Sequence, residues 1–131
     1  MGFDQYHEPP EELPAETRTF ARLCASLEEE SQAIGWYQQR LAVEPDAEAR
    51  AIMEDAQGEE FKHFCMDLEF LLRRTPLWRE IAEGILFQEG DIIEVSDEVE
   101  ETVIHGEGPD QATPGDRSGS LGIGSLRGRG L

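Results

Sequence analysis

The residues best suited to chemistry in this chain are a carboxylate and an imidazole, Glu60 and His63, in the stretch GEEFKH at positions 58–63. On a helix, residues three apart project from adjacent turns with Cβ atoms about 5–6 Å apart. Their side chains can then converge on one metal ion at about 2 Å per bond. Glu60 could also bridge to a second ion. Di-metal carboxylate sites in four-helix bundles use one such Glu-x-x-His pair from each of two helices and one Glu from each of the other two. A Glu-x-x-His pair also arises by chance in a glutamate-rich chain, so its surroundings decide its meaning.

Those surroundings read as helix. From Pro14 the pattern is helical, and AETRTFARLCASLEEESQAIGWYQQRLAV contains no proline and one glycine, Gly35. Phe20, Leu23, Leu27, Glu30, Ile34, Tyr37 and Leu41 fall at alternating spacings of three and four, a heptad seam in which only Glu30 is charged. Pro45 ends this helix by excluding the helical conformation at Glu44. Asp46 can cap a second helix reaching about Arg74. Its apolar face is expected to pass through Ile52, Met53, Ala56, Glu60, His63, Met66 and Phe70, which puts the Glu-x-x-His pair on the core side. Thr75 and Pro76 restart the chain in a favoured order for a cap and first turn, and a short third helix follows over LWREIAEGILF.

Two long helices joined by a tight turn form an antiparallel hairpin. A lone hairpin cannot cover both faces of its helices, so the expected architecture is all-α, two copies pairing into a four-helix bundle. One chain holds half the donor inventory: Glu30 on the first helix, Glu60 and His63 on the second. Two chains about a twofold axis would supply four carboxylates, balancing two divalent cations. Without metal, burying four such charges would cost on the order of several kcal/mol each. The alternatives are a register-setting Glu30 with a solvated Glu60–His63 pair on a metal-free scaffold, and a passive metal buffer. Tyr37, one heptad after Glu30, could hydrogen-bond a ligand carboxylate or simply pack. Trp36 reads as packing, and His7 and His105 as solvated.

Composition narrows the function classes. The 131 residues carry 11 Lys and Arg against 29 Asp and Glu, a formal charge of −18. Such a surface disfavours nucleic acid and anionic membrane and suits cation traffic or plain solubility. The two cysteines, Cys24 and Cys65, show neither CxxC nor disulfide-rich spacing and read as buried free thiols in a reducing compartment. No signal peptide or membrane span is evident; a cytosolic location is expected. Residues 1–13 read as a flexible segment, 14–88 as the helical domain and 89–118 as a flexible acidic linker. Eight acidic residues and no Lys or Arg fall between Asp91 and Ala112. In 119–131, GSLGIGSLRGRGL spaces Leu121, Ile123 and Leu126 among Gly and Ser. Composition alone leaves open a docking peptide or, preferentially, an end without consequence.

Several stretches together resemble the encapsulated ferritins, the ferritin-like cargo of encapsulin nanocompartments. They are HEP near the N-terminus, EEESQAIGWYQQR, EEFKH followed by MDLEFLLRR, LFQEG, and the terminal GSLGIGSLRG. The resemblance spans nearly the whole chain. It implies a two-helix protomer with a short C-terminal helix, dimers that complete a ferroxidase centre, and a ring of five dimers, a decamer. By motif, Glu30, Glu60 and His63 are then the iron ligands. Tyr37 and Trp36 flank the centre, and Glu29 lies where metal enters. Gln32 stands where such proteins usually carry a second acidic residue, and Phe61 where charged residues are common. The activity implied is oxidation of Fe²⁺ by O₂ at a di-iron centre, feeding mineral stored inside the shell. Zn, Mn, Co or Ca could substitute for iron. Residues 119–131 would dock the chain on the encapsulin shell protein.

Overall fold

The computed structural model describes residues 6–106 of the chain. Every regular element among them is helical: α1 (Ala15–Val43), α2 (Ala47–Arg74), α3 (Pro76–Ile85) and α4 (Ile92–Val99). A single 3-10 turn, Pro10–Glu12, precedes α1, and a π-helical stretch, Glu100–Ile104, continues α4.

The turn between α1 and α2 forms where the sequence demands it. Glu44 adopts extended backbone (φ −74°, ψ 116°) ahead of Pro45. Asp46 caps α2 by accepting the Ala49 amide at 2.8 Å. The Arg50 guanidinium donates to the Leu41 carbonyl, closing one of the open carbonyls at the end of α1. Further along, Gln57 is buried and donates from Nε2 to the Ile34 carbonyl at 3.3 Å and to Gln38 Oε1 at 3.1 Å. Pairings of 50 with 41 and 57 with 34 make the hairpin antiparallel. They also fix its register, because a buried amide that lost these partners would be left unsatisfied.

The buried face of α2 is rotated slightly from the one its apolar residues suggest. Ile52 and Met66 are exposed, while Gln57 and Leu71 are buried and Phe64 and Asp67 are half-buried. The inward stripe therefore steps through Met53, Gln57, Glu60, Phe64, Asp67 and Leu71, a 3.6-residue period that a stepwise choice of apolar residues overruns. Within the hairpin Ala25, Leu41, Leu71 and Leu72 are buried, whereas Trp36, Val43, Phe61, Ile52 and Met66 stay exposed. Large apolar side chains thus line a surface that the single chain does not cover. Cys65 is exposed and Cys24 half-buried, and both are free, so only the absence of a disulfide agrees with the reading of buried thiols.

The chain divides after Pro76 into two compact units. In the second, α3 ends at a reversal in which Phe87 takes a left-handed conformation (φ 61°) and Gly90 has φ 101°. A Cβ on Gly84 would lie 2.5 Å from Val99 Cγ2, so the missing side chain lets α3 and α4 close together there. Residues 92–104 correct the expectation of a flexible linker from 89. Asp91 caps α4 by accepting the Ile93 and Glu94 amides at 2.9 and 3.1 Å. Val95, half-buried, and Val99, buried, then supply an inward side for a segment whose acidic content alone suggested loose chain. Residues 107–118 of that linker and the terminal segment 119–131 lie outside the described residues.

Candidate metal centre

The hairpin register carries Glu30 on α1 to the level of Glu60 and His63 on α2. Gln57, held against α1 by its two hydrogen bonds, sits one turn before Glu60 and sets that level. One ligand atom from each of Glu30, Glu60 and His63 lies within 4.8 Å of the other two. His63 Nδ1 is 3.5 Å from Glu60 Oε2, and its Nε2 is 3.9 Å from Glu59 Oε2. The Glu60 side chain is 23% exposed and that of His63 43% exposed, so the group is sheltered yet open on one side. On the outer side of α2, Lys62 pairs with Glu59 and keeps that carboxyl below its ordinary range.

The two glutamates are close enough to share a proton. The Glu30 carboxyl is pushed up to about 7, first by its hydrogen bond to Glu60, then by loss of solvent and by the Glu60 charge. Asp67 adds to the rise and His63 opposes it. Two carboxylates and an imidazole that converge in this way form a site awaiting either a proton or a cation. Mixed oxygen and imidazole donors suit a divalent first-row metal such as iron, manganese, cobalt or zinc, so the residues present fit a metal ion.

The other residues singled out in the sequence are placed as follows. Tyr37 is half-buried, with the Arg40 guanidinium 5.1 Å from its ring centroid. Among the described residues no hydrogen bond ties its hydroxyl to the three donors. Trp36 is 54% exposed, and Glu29 and Gln32 are exposed on α1. His7 is exposed, and His105 lies 3.3 Å from Glu100. Asp67 is the residue that the sequence reading passed over. It follows Glu60 by one heptad on the same face, and burial raises its carboxyl above the ordinary range. A search for charged as well as apolar residues at heptad spacing would have found it.

Residues 5–89 match the EncFtn-like family. A ferritin-like protein of Thermotoga maritima is 42% identical over 95 residues, which is 72% of this chain and 83% of that protein. An encapsulated ferritin-like protein of Rhodospirillum rubrum is 40% identical over 124 residues, 93% of this chain and 87% of that protein. A protein from Nitrosomonas europaea with a solved crystal structure shares 37% identity at a TM-score of 0.65, covering 68% of this chain and 98% of its own.

The shared proton has a measurable consequence. A carboxyl raised in the folded state stabilises the fold fully below its unfolded value and loses that contribution as pH rises through the folded value. For Glu30 the window runs from about 4.5 to about 7. Metal-free protein is therefore expected to melt at lower temperature at pH 8 than at pH 5, with a smaller difference in Glu30→Gln. Adding zinc at pH 8 should restore the loss in the parent protein and not in Glu30→Gln. Thermal unfolding followed by circular dichroism checks both.

Proposed function

The chain belongs to the EncFtn-like family, whose ferritin-like character is iron-related, and from that premise we propose that it is a ferroxidase, oxidising Fe²⁺ to Fe³⁺ with O₂. The observation that carries this reading is the convergence of Glu30, Glu60 and His63 from facing helices to within 4.8 Å. Ferrous ions are the substrate. Two Fe²⁺ would give one electron each to one O₂, which takes up two protons and leaves as hydrogen peroxide, and the two Fe³⁺ formed would leave for a mineral.

In this reading the chain's residues divide the work. Glu60 and His63 hold an ion from α2, and Glu30 approaches from α1. Glu30 releases the proton it shares with Glu60 as the cation arrives, which couples metal binding to pH. One copy supplies three donor residues, too few for a pair of ions. A second copy would bring the set to four carboxylates and two imidazoles, with the ions at the interface between copies. The exposed Trp36, Ile52, Phe61 and Met66 supply apolar surface for such a contact. Five such dimers in a ring, a decamer, is the assembly proposed. Glu29, exposed on α1, is the proposed point of metal entry, and Tyr37 and Trp36 flank the centre.

The proposed setting is the lumen of an encapsulin compartment in the cytoplasm. An open ring has no cavity for mineral, so storage would fall to the shell. Residues 119–131 are the proposed link to the shell protein. The described residues contain no helix long and apolar enough to cross a membrane.

Two outcomes test the proposal. Glu30→Ala, Glu60→Ala and His63→Ala should each lower Fe²⁺-dependent oxygen consumption by more than the roughly 10- to 100-fold that loss of an outer-shell partner costs. Full activity in any one would remove that residue from the centre. Deletion of 119–131 should leave oxygen consumption unchanged and end co-purification with the shell protein. Continued loading would place the docking segment elsewhere.

A further inference from the structure

The second unit has no part in the reading above, yet it carries an uncovered apolar end. Ile92, Val95 and Val99 recur at spacings of three and four, which places them on one side of α4. Val99 is buried and Val95 half-buried. Covering stops at the first turn, where Ile92 is 75% exposed and its neighbour Ile93 70%. Before the reversal, Leu86 and Phe87 are exposed as well, Phe87 to 92%. Gly84 lies against Val99 and Gly90 against Val95, so the chain turns back on itself here. The four exposed side chains thus gather at one end of the α3–α4 pair. Phe87 stands there in a left-handed conformation (φ 61°), a cost to a bulky residue that contact with water does not return. An exposed apolar patch of this kind marks an interaction site. Its rim is acidic. Glu89, Asp91 and Glu94 are exposed beside it, and no Lys or Arg falls between Glu80 and Gly106.

The chain itself carries a segment that matches this surface in both respects. Residues 117–131 hold Leu121, Ile123 and Leu126 together with Arg117, Arg127 and Arg129, and no Asp or Glu. The length of chain between them is ample. Residues 107–120 span up to about 46 Å when extended, whereas α4 and its continuation to Ile104 are about 20 Å long. We infer that residues 121–129 seat on the exposed end of the α3–α4 pair of their own chain. Their three apolar side chains cover Leu86, Phe87, Ile92 and Ile93, and their two arginines lie among the carboxylates. A segment joined to its seat meets it at an effective concentration of about 1 mM, so an affinity of only about 0.1 mM keeps it seated about nine-tenths of the time. One consequence rests on the reading of 119–131 as the link to the shell. The same apolar side chains cannot serve seat and shell together, so the chain withholds its docking segment until the shell outcompetes the seat.

The test is trypsin cleavage of the full chain, with initial rates read by mass spectrometry and a synthetic peptide of residues 111–131 as the unseated reference. The bond after Arg127 is expected to open about tenfold more slowly in the chain than in the peptide, because cleavage follows the unseated fraction. The bond after Arg117, outside the seated residues, should open at similar rates in both. Ile92→Ser combined with Ile93→Ser, at two exposed positions, should remove the difference at Arg127. Ile123→Ser should do the same against its own peptide without touching α4, and it carries the comparison if the double variant fails to fold. Equal cleavage after Arg127 in the parent chain and the peptide would overturn the inference. Protection that survives in both variants would also overturn it, as would protection that fades on dilution, which would put the segment on another copy. No shell protein takes part, so the seat and the shell link fail separately. If the seat is found and deletion of 119–131 leaves loading unchanged, only the consequence for docking falls.

Discussion

Two glutamates that face each other across a helical hairpin can both be charged at close range only at a cost in stability, and the rest of the site is organised around that constraint. Glu30 and Glu60 meet in a chain of formal charge −18, so the repulsion is not offset by the surface around them. In the metal-free protein a shared proton relieves it, and this is why the Glu30 carboxyl is held up to about 7. His63 faces Glu60 at 3.5 Å and lowers the cost of charging Glu30. A divalent cation relieves the same repulsion more completely, because it answers both charges at once. A cation held there, as proposed, would displace that proton, so its binding would depend on pH.

Holding that place requires register more than bulk. The α1–α2 hairpin buries few apolar side chains, and its alignment is set by polar contacts: the Asp46 cap, Arg50 on the Leu41 carbonyl, and Gln57 between Ile34 and Gln38. Each lies on the turn side of Glu60 and acts along the helix that carries it. A slip of one residue would rotate Glu60 and His63 by about 100° around α2 and part them from Glu30. The apolar surface left exposed, with Trp36 and Phe61 on it, fits a hairpin that finishes its packing against another chain.

Much of this was legible in the sequence. Pro45 and Asp46 marked the turn, and the heptad spacing of α1 put Glu30 on the seam, since proline and capping rules act locally and depend little on tertiary context. The face of α2 was harder to read, because following apolar residues leads through Ile52 and Met66 when the buried stripe runs through Gln57 and Asp67. Gln57 is polar and buried because it finds partners on α1, and Asp67 is drawn partly inward on the same face, neither of which a hydrophobic pattern can register. The helix at 92–99 was hidden for a related reason. Its acidic residues argue for loose chain when counted over a window, and only the Asp91 cap and the alternation of Val95 and Val99 reveal the inward side.

The claim on which this account turns is that one chain holds an incomplete set of donors and that a second copy completes it. Anaerobic titration with Fe²⁺ at several protein concentrations, with mass measured by light scattering and iron by elemental analysis, tests it most directly. The account predicts one ion per chain at saturation in a dimer or a multiple of it, with half-saturation at lower free iron as protein concentration rises. A monomer that takes up iron with an affinity independent of protein concentration would contradict it.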